Sequence, residues 1–290
     1  MSVKIGVVGS VNLDLVASGA ALPRAGETVT GARFSQHPGG KGANQALAAQ
    51  RLGADVFMVG RTGDDALAEP ALELLRRDGV DVSRVMSEIG ESTGVALISV
   101  APDGENQITV ASGANNTLGE DAAADLPNCD AILCQLEVPV SAIGSAAKRA
   151  KACGALFAVN LAPAIELEHE VLAQIDLVIV NELEAAFYGD NLYTDKRLTA
   201  VTLGAKGSVL LRGKREIARA PSFDVPVVDR TGAGDTFCAA LVLALVEGKQ
   251  PQDALKFASA AAALSVTKQG AQPSLPWRAD VEDLLEENQT

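Results

Sequence analysis

The stretch DRTGAGDTFCAALVLALVEG, residues 229–248, begins with small residues and runs into an apolar segment with helix-compatible spacing. Gly248 stands where a helix C-cap belongs. The pattern predicts a helix whose first turn carries Asp235 and whose entry is Gly232, Ala233 and Gly234. Small side chains leave backbone N–H groups uncovered, and a helix N-terminus with bare amides is a site for anions. Asp235 there admits two readings. It can complement the helix dipole, or it can act as a base beside a bound anion.

Outward from that helix, apolar runs of strand length alternate with helical segments. The candidate strands are VKIGVV (3–8), DVFMV (55–59), AILCQ (131–135), LFAVN (156–160), LVIV (177–180) and LTAVTL (198–203). Between them lie ANQALAAQRL, LAEPALELLRRD and SAIGSAAKRAKAC, each followed by a glycine. Such alternation favours an α/β fold with a mostly parallel sheet covered by helices, and ligands bind at the carboxyl ends of its strands. Residues 15–36 and 91–110 break the pattern. They are rich in β-branched residues, and PDGEN is a hairpin signal. A small β-sheet lid formed by these two segments, inserted in a single domain 1–290, is one expectation; a pair of edge hairpins is the other. After the helix PQDALKFASAAAALSV, the segment TKQGAQPSLP reads as an irregular loop leading into a terminal helix.

The composition narrows the function. The chain has 290 residues, 48% hydrophobic content and a formal charge of −13, which disfavours nucleic-acid or anionic-membrane partners. Cys129, Cys134, Cys153 and Cys238 have neither CxxC nor zinc spacing, so reduced thiols in a cytoplasmic protein are expected. The N-terminal apolar run is short and cut by Asn12 and Asp14, which fits a strand better than a signal peptide. No Walker A motif occurs, since PGGKGANQ lacks the hydroxyl residue after its lysine, and no GxGxxG follows the first strand.

Phosphoryl transfer needs donors around the developing charge and an acceptor for the nucleophile's proton. The Gly232–Gly234 amides and Asp235 can supply these. A second polar group comes from PGGKGANQALAAQRLG. There Gly39, Gly40 and Gly42 allow close backbone approach, and Lys41 and Asn44 can reach a hydroxylated ligand. Asn12, Asp14 and Glu137 follow strands at the same sheet edge. Convergent hydrogen-bonding groups suit a polyol, because each desolvated hydroxyl needs a partner. Singly, each has a plainer role as a turn, solvated or capping residue.

GGKGANQALAA, DRTGAGDTF, GESTGVALI, NLAPA, NELE, TLGAKG and GAQPSLPW together resemble the motifs of the ribokinase (PfkB-type) sugar kinase family, in the family's order and over almost the whole chain. The resemblance implies a three-layer α/β/α sandwich with a lid, and transfer of the ATP γ-phosphoryl group to O5 of ribose. It makes Asp235 the general base and Gly232, Ala233 and Gly234 the anion hole. Asn12, Asp14, Gly40, Lys41, Asn44 and Glu137 would hold the sugar. Asn181 and Glu184, the family's NxxE pair, would organise magnesium and phosphate through water. Thr202, Gly204, Gly207 and Ser259 would meet the nucleotide, together with Gly234. Asp229, Thr231, Ser265, Lys268, Gly270 and Ser274 match positions that hold an activating monovalent cation, K⁺, several of them through carbonyls. A homodimer through the lid sheets is also implied.

The chain departs from the family between NELE and TLGAKG, where only AAFYGDNLYTDKRLTAV intervenes and a further helix is usual. A crossover that short is near the minimum, with ELEAAFY as its one short helix and GDNLYTDKR returning directly to the next strand. Other substrates of the class are deoxyribose, fructose, 2-keto-3-deoxygluconate or a nucleoside. A sugar-binding protein with weakened catalysis on the same fold is the alternative outside the class.

Overall fold

A computed structural model describes residues 2–288. Its main sheet has nine strands in the order β13-β12-β11-β10-β9-β8-β1-β4-β5. At its centre lie β1 (Lys4–Val8), β4 (Asp55–Gly63), β8 (Ala131–Gln135), β9 (Leu156–Asn160), β10 (Leu177–Asn181) and β11 (Leu198–Thr202), all parallel. The edges are β5 (Asp81–Glu88), parallel to β4, and the antiparallel hairpin β12 (Ser208–Arg212) and β13 (Arg215–Ala220). The six expected strands are all present. β5, β12 and β13 did not appear among them: charged residues interrupt the edge strands β5 and β13, and β12 has an apolar run of only three residues.

Successive strand residues point to opposite faces, so each central strand feeds two cores. Ile5, Val7, Met58, Leu133 and Ile179 join one apolar core with α1 (Lys41–Arg51), α2 (Ala68–Arg77), α6 (Ala233–Val246), α7 (Pro251–Ser265) and α9 (Arg278–Glu287). Val8, Val59, Ile132, Val159 and Val180 join the other core, which α3 (Val140–Cys153), α4 (His169–Leu172) and α5 (Glu182–Tyr188) cover. The result is the three-layer sandwich. One helical turn, α8 (Ala271–Ser274), interrupts the segment expected as an irregular loop. Helix α6 is buried from Asp235 through Ala244, packed between α1 and α7. An apolar surface on every side marks an interior helix.

The lid is a separate four-stranded sheet, ordered β3-β2-β6-β7: β2 (Asn12–Ser18), β3 (Arg33–Gly39), β6 (Gly94–Val100) and β7 (Asn106–Ala111). The turn before β7 holds Gly104 at φ 86°, as the PDGEN signal implied. The strands reach closer to the main sheet than segments 15–36 and 91–110 suggested. Asn12 and Asp14 therefore lie on a lid strand, three residues after β1 ends.

The short crossover is closed. α5 ends at Tyr188, and β11 pairs with β10 along its full length. The buried Arg197 guanidinium braces the return, donating to the carbonyls of Leu172, Asn191 and Leu192 at 2.6–3.3 Å. Leu183 and Phe187 on α5 remain exposed, which is the thin helical cover the shortened sequence implies.

Candidate active site

Asp235 occupies the third position of α6, whose N-cap is Gly232 at φ 82°. Its carboxylate is buried. Oδ2 accepts a hydrogen bond from Asn44 Nδ2 and Oδ1 one from Gln45 Nε2, each at 2.9 Å. Burial pushes the Asp235 carboxyl above the usual carboxylate range; Lys41, Asn44 and Gln45 oppose that, and Glu137 adds to it. A carboxylate held that way is a stronger proton acceptor than one in water. The N–H groups of Gly234 and Asp235 lie in the first helical turn, where no intrahelical acceptor exists. Ala233 N–H donates to Arg230 O at 3.3 Å, so this amide is engaged in the structure.

The sugar-type residues converge from three elements. Glu137, just after β8, accepts from Ser10 Oγ at 2.6 Å and from the Lys41 backbone N–H at 3.0 Å, and its Oε1 lies 3.9 Å from Lys41 Nζ. Ser10 Oγ in turn accepts from Gly42 N–H at 3.2 Å, which seats the first turn of α1 on the β1–β2 loop. Burial alone would depress the Lys41 ammonium. The fields of Asp235, Glu137 and Glu184 outweigh it and keep the lysine charged. Asp14 is pushed up to about 7 by burial first, then by Glu137 and Asp235, with Lys41 opposing. Asn12 Oδ1 accepts from Asn115 Nδ2 at 2.8 Å, and Asn115 also grips both backbone groups of Val11. The close approach of backbones needs glycine. Gly40 sits at φ 88°, and a Cβ on Gly94 would lie 2.2 Å from Asn12 Oδ1.

The nucleotide-type residues line the ends of β10 and β11. Asn181 and Glu184 form a reciprocal capping box, both bonds 2.8 Å, which starts α5. Burial raises the Glu184 carboxyl, against the Asn181 amide and Lys41. Thr202 pairs in register with Ser208, whose hydroxyl is 2.9 Å from that of Ser259 on α7. Gly204 opens the tight turn after β11. Gly207 closes it at φ 89°, where a Cβ would lie 2.0 Å from Ala220 O.

The expected cation residues come from two segments, joined by Gly270 N–H to Asp229 Oδ2 at 2.9 Å and by the N–H groups of Val228 and Asp229 to Val266 O at 2.8 and 3.2 Å. Asp229 Oδ1 accepts from Thr231 N–H and its hydroxyl. Burial would raise the Asp229 carboxyl, but the Thr231 and Gly270 donors and the His37 field hold it below the usual range. Ser265 and Ser274 are buried, with hydroxyls donating to Ala262 O and Ala271 O and oxygen lone pairs left over. Lys268 lies on the same second loop, between α7 and Gly270. A donor set made of oxygens fits a hard cation. Among the described residues, no group of three or more His, Cys, Asp or Glu is arranged to hold a metal.

Five residues of the site escaped the sequence reading: Ser10, Gln45, Asn115, Gln135 and Asn160. Two of them carried a signal. Gln135 and Asn160 are polar residues closing otherwise apolar strands, AILCQ and LFAVN.

A buried carboxylate at an amide-rich helix terminus, among groups able to hydrogen-bond hydroxyls, fits a phosphotransferase that acts on an alcohol. The pfkB family carbohydrate kinase profile matches residues 3–278, and the chain belongs to that family. A ribokinase of Haemophilus influenzae is 40% identical over 300 residues, covering 97% of each chain. A ribokinase of Bacillus subtilis is also 40% identical, over 96% of this chain and 98% of its own. The structure of Arabidopsis thaliana ribokinase complexed with ribose and ATP superposes with a TM-score of 0.88, at 35% identity and 99% coverage of both chains.

Proposed function

We propose that the protein phosphorylates D-ribose at O5 with ATP. The observation that carries this is Asp235, buried in the first turn of α6, bonded to Asn44 and close enough to Asp14 and Glu137 for their fields to act on one another. Asn12, Asp14, Gly40, Lys41, Asn44 and Glu137 bind the sugar hydroxyls. Asp235 takes the O5 proton as the O5–P bond forms and the bond between γ-phosphorus and the β,γ-bridging oxygen breaks, leaving ADP. The amides of Gly232, Ala233 and Gly234 receive the charge on the transferred group, Ala233 after release from Arg230 O.

Asn181, Glu184, Thr202, Gly204, Gly207 and Ser259 hold the nucleotide. Mg²⁺ enters with ATP and neutralises phosphate charge when bound. Asp229, Thr231, Ser265, Lys268, Gly270 and Ser274 would hold K⁺ through carboxylate, hydroxyl and carbonyl oxygens, and the ion would supply positive charge to the loop that leads into α6. The chain acts as a homodimer through its lid sheets, a reading supported by the exposed Phe34, Leu97, Ile108 and Val110 on those strands. It works in the cytoplasm, in keeping with four free cysteines. No described helix is long and apolar enough to cross a membrane.

The test is ADP release with ATP, Mg²⁺ and K⁺ across ribose, deoxyribose, fructose, adenosine and 2-keto-3-deoxygluconate. Ribose should give the highest kcat/KM, and Asp235→Asn should lower turnover at least about 10²-fold. A better substrate than ribose overturns the sugar assignment. Near-normal turnover of Asp235→Asn overturns the base.

A further inference from the structure

Next to Asp235, three amide side chains, Gln45, Gln135 and Asn160, form a chain of their own. Gln45 Nε2 donates to Asp235 Oδ1 at 2.9 Å and to Asn160 Oδ1 at 3.3 Å. Gln45 Oε1 accepts from Gln135 Nε2 at 2.6 Å. Asn160 is fixed by the backbone, since its Nδ2 donates to Ile179 O at 3.1 Å and so turns its own oxygen toward Gln45. Gln45 and Gln135 are fully buried, and Asn160 nearly so.

This arrangement admits one orientation of the Gln45 amide. If the amide flipped, its oxygen would face both the Asp235 carboxylate and Asn160 Oδ1, and its nitrogen would face Gln135 Nε2. The contacts with Asp235 and with Asn160, whose own orientation Ile179 O fixes, would then set acceptor against acceptor. Asn44 also donates to Asp235, but from α1's sugar-facing side and as a candidate sugar ligand. Gln45 has no such second duty.

We propose that Gln45, held in one amide orientation by Asn160 and braced by Gln135, is a positioning residue that aims the Asp235 carboxylate and keeps it ionised until the sugar's proton arrives. The proposal rests on Asp235 being the general base. A donor fixed on Oδ1 stabilises the carboxylate over the carboxylic acid, offsetting part of the burial that favours the acid. The other charged or titratable groups facing Asp235 are Lys41 from α1, Asp14 from β2, Glu137 after β8 and Cys238 from α6, with Glu184 from α5 acting on Lys41 and Cys238. The variants below leave all of these in place.

The experiment compares wild type, Gln45→Met, Gln135→Met and Asp235→Asn in the full chain, with ATP, Mg²⁺ and ribose, measuring kcat, ribose KM and the pH profile of kcat. Methionine keeps the length of glutamine without its donors. In Gln45→Met, kcat should fall about ten- to a hundredfold, as for loss of a hydrogen bond to a charged group, with ribose KM within about twofold. The acid limb of the profile should move to higher pH, because Asp235 loses a donor that favours its ionised form. Gln135 has no hydrogen bond to Asp235 and reaches it through Gln45; Gln135→Met should give a smaller fall of about three- to tenfold, with the limb moved the same way. Gln135→Met also serves if Gln45→Met fails to fold. Unchanged kcat and acid limb in either folded variant, with Asp235→Asn inactive, overturn the relay but leave the base. An active Asp235→Asn overturns the base and the relay with it.

Discussion

Replacing Asp14 by asparagine should make the empty protein more stable and the enzyme worse. Asp14 is 9% exposed and its carboxyl is pushed from 3.8 to about 7 by burial, Glu137 and Asp235. Above the unfolded value the unfolded chain ionises freely, while the folded chain must either keep its proton or bear an unfavourable charge. The penalty on folding starts near pH 4, grows as pH rises, and is complete above pH 7. A shift of about three units at 1.36 kcal/mol per unit sets an upper limit of about 4 kcal/mol at pH 8, against about 1.5 kcal/mol at pH 5. Water entering the open sugar site lowers both figures. Urea denaturation of ligand-free wild type and Asp14→Asn at the two pH values reads the difference directly. The variant should be more stable at pH 8 by about 2 kcal/mol or more, with the advantage shrinking at pH 5. Its ribose affinity should fall about ten- to a hundredfold, because a charged acceptor for a hydroxyl is lost. Equal stability at pH 8, or an advantage independent of pH, would refute the reasoning.

Two further substitutions probe the frame around the site. Gly94→Ala puts a methyl group where Asn12 Oδ1 and Asn115 Nδ2 now meet, 2.2 and 2.3 Å from the ideal Cβ. Ribose KM should rise about tenfold or more, with a stability loss of about 1–3 kcal/mol by denaturant titration; an unchanged KM would sink the claim that Asn115 sets Asn12. Arg51→Met removes a buried guanidinium that pairs with Asp78 at 2.8 Å and donates to the carbonyls of Gln272 and Leu275. It should cost about 3 kcal/mol in chemical denaturation, near the low end for a broken buried pair because Arg77 still contacts Asp78. A loss below about 1 kcal/mol would show that other contacts hold this loop.

The order of central strands and helices was legible because their apolar runs have the right periods and glycines punctuate them. Gly154, for instance, is the left-handed C-cap of α3 that its position implied. The edge strands were not legible. β5 reads DVSRVMSE and β13 reads REIARA, and an edge tolerates charges that a central strand does not. At the proposed site, the groups assigned to ligand lay in recognisable glycine-rich or post-strand strings. Those that orient them did not. Gln45 faces Asp235 across 190 positions of sequence, and Asn115 reaches Asn12 across 103. No local pattern encodes such a distance. Arg197 is the same case in the crossover: a lone arginine before a strand, which the fold turns inward to brace three carbonyls.

Helix α6 also sets a timetable. Its partner α1 ends at Arg51, and α6 starts at Ala233. At roughly 5–20 residues per second, a ribosome needs about ten to forty seconds to span that interval. Until then the apolar face of α1 has no cover on its α6 side, and the amides of Asn44 and Gln45 wait without the carboxylate they bond. The nascent chain is therefore most exposed to aggregation and to chaperones through the middle of its synthesis. The Asp235 carboxylate and the cover for α1 arrive together, on one helix, with α7 still to follow.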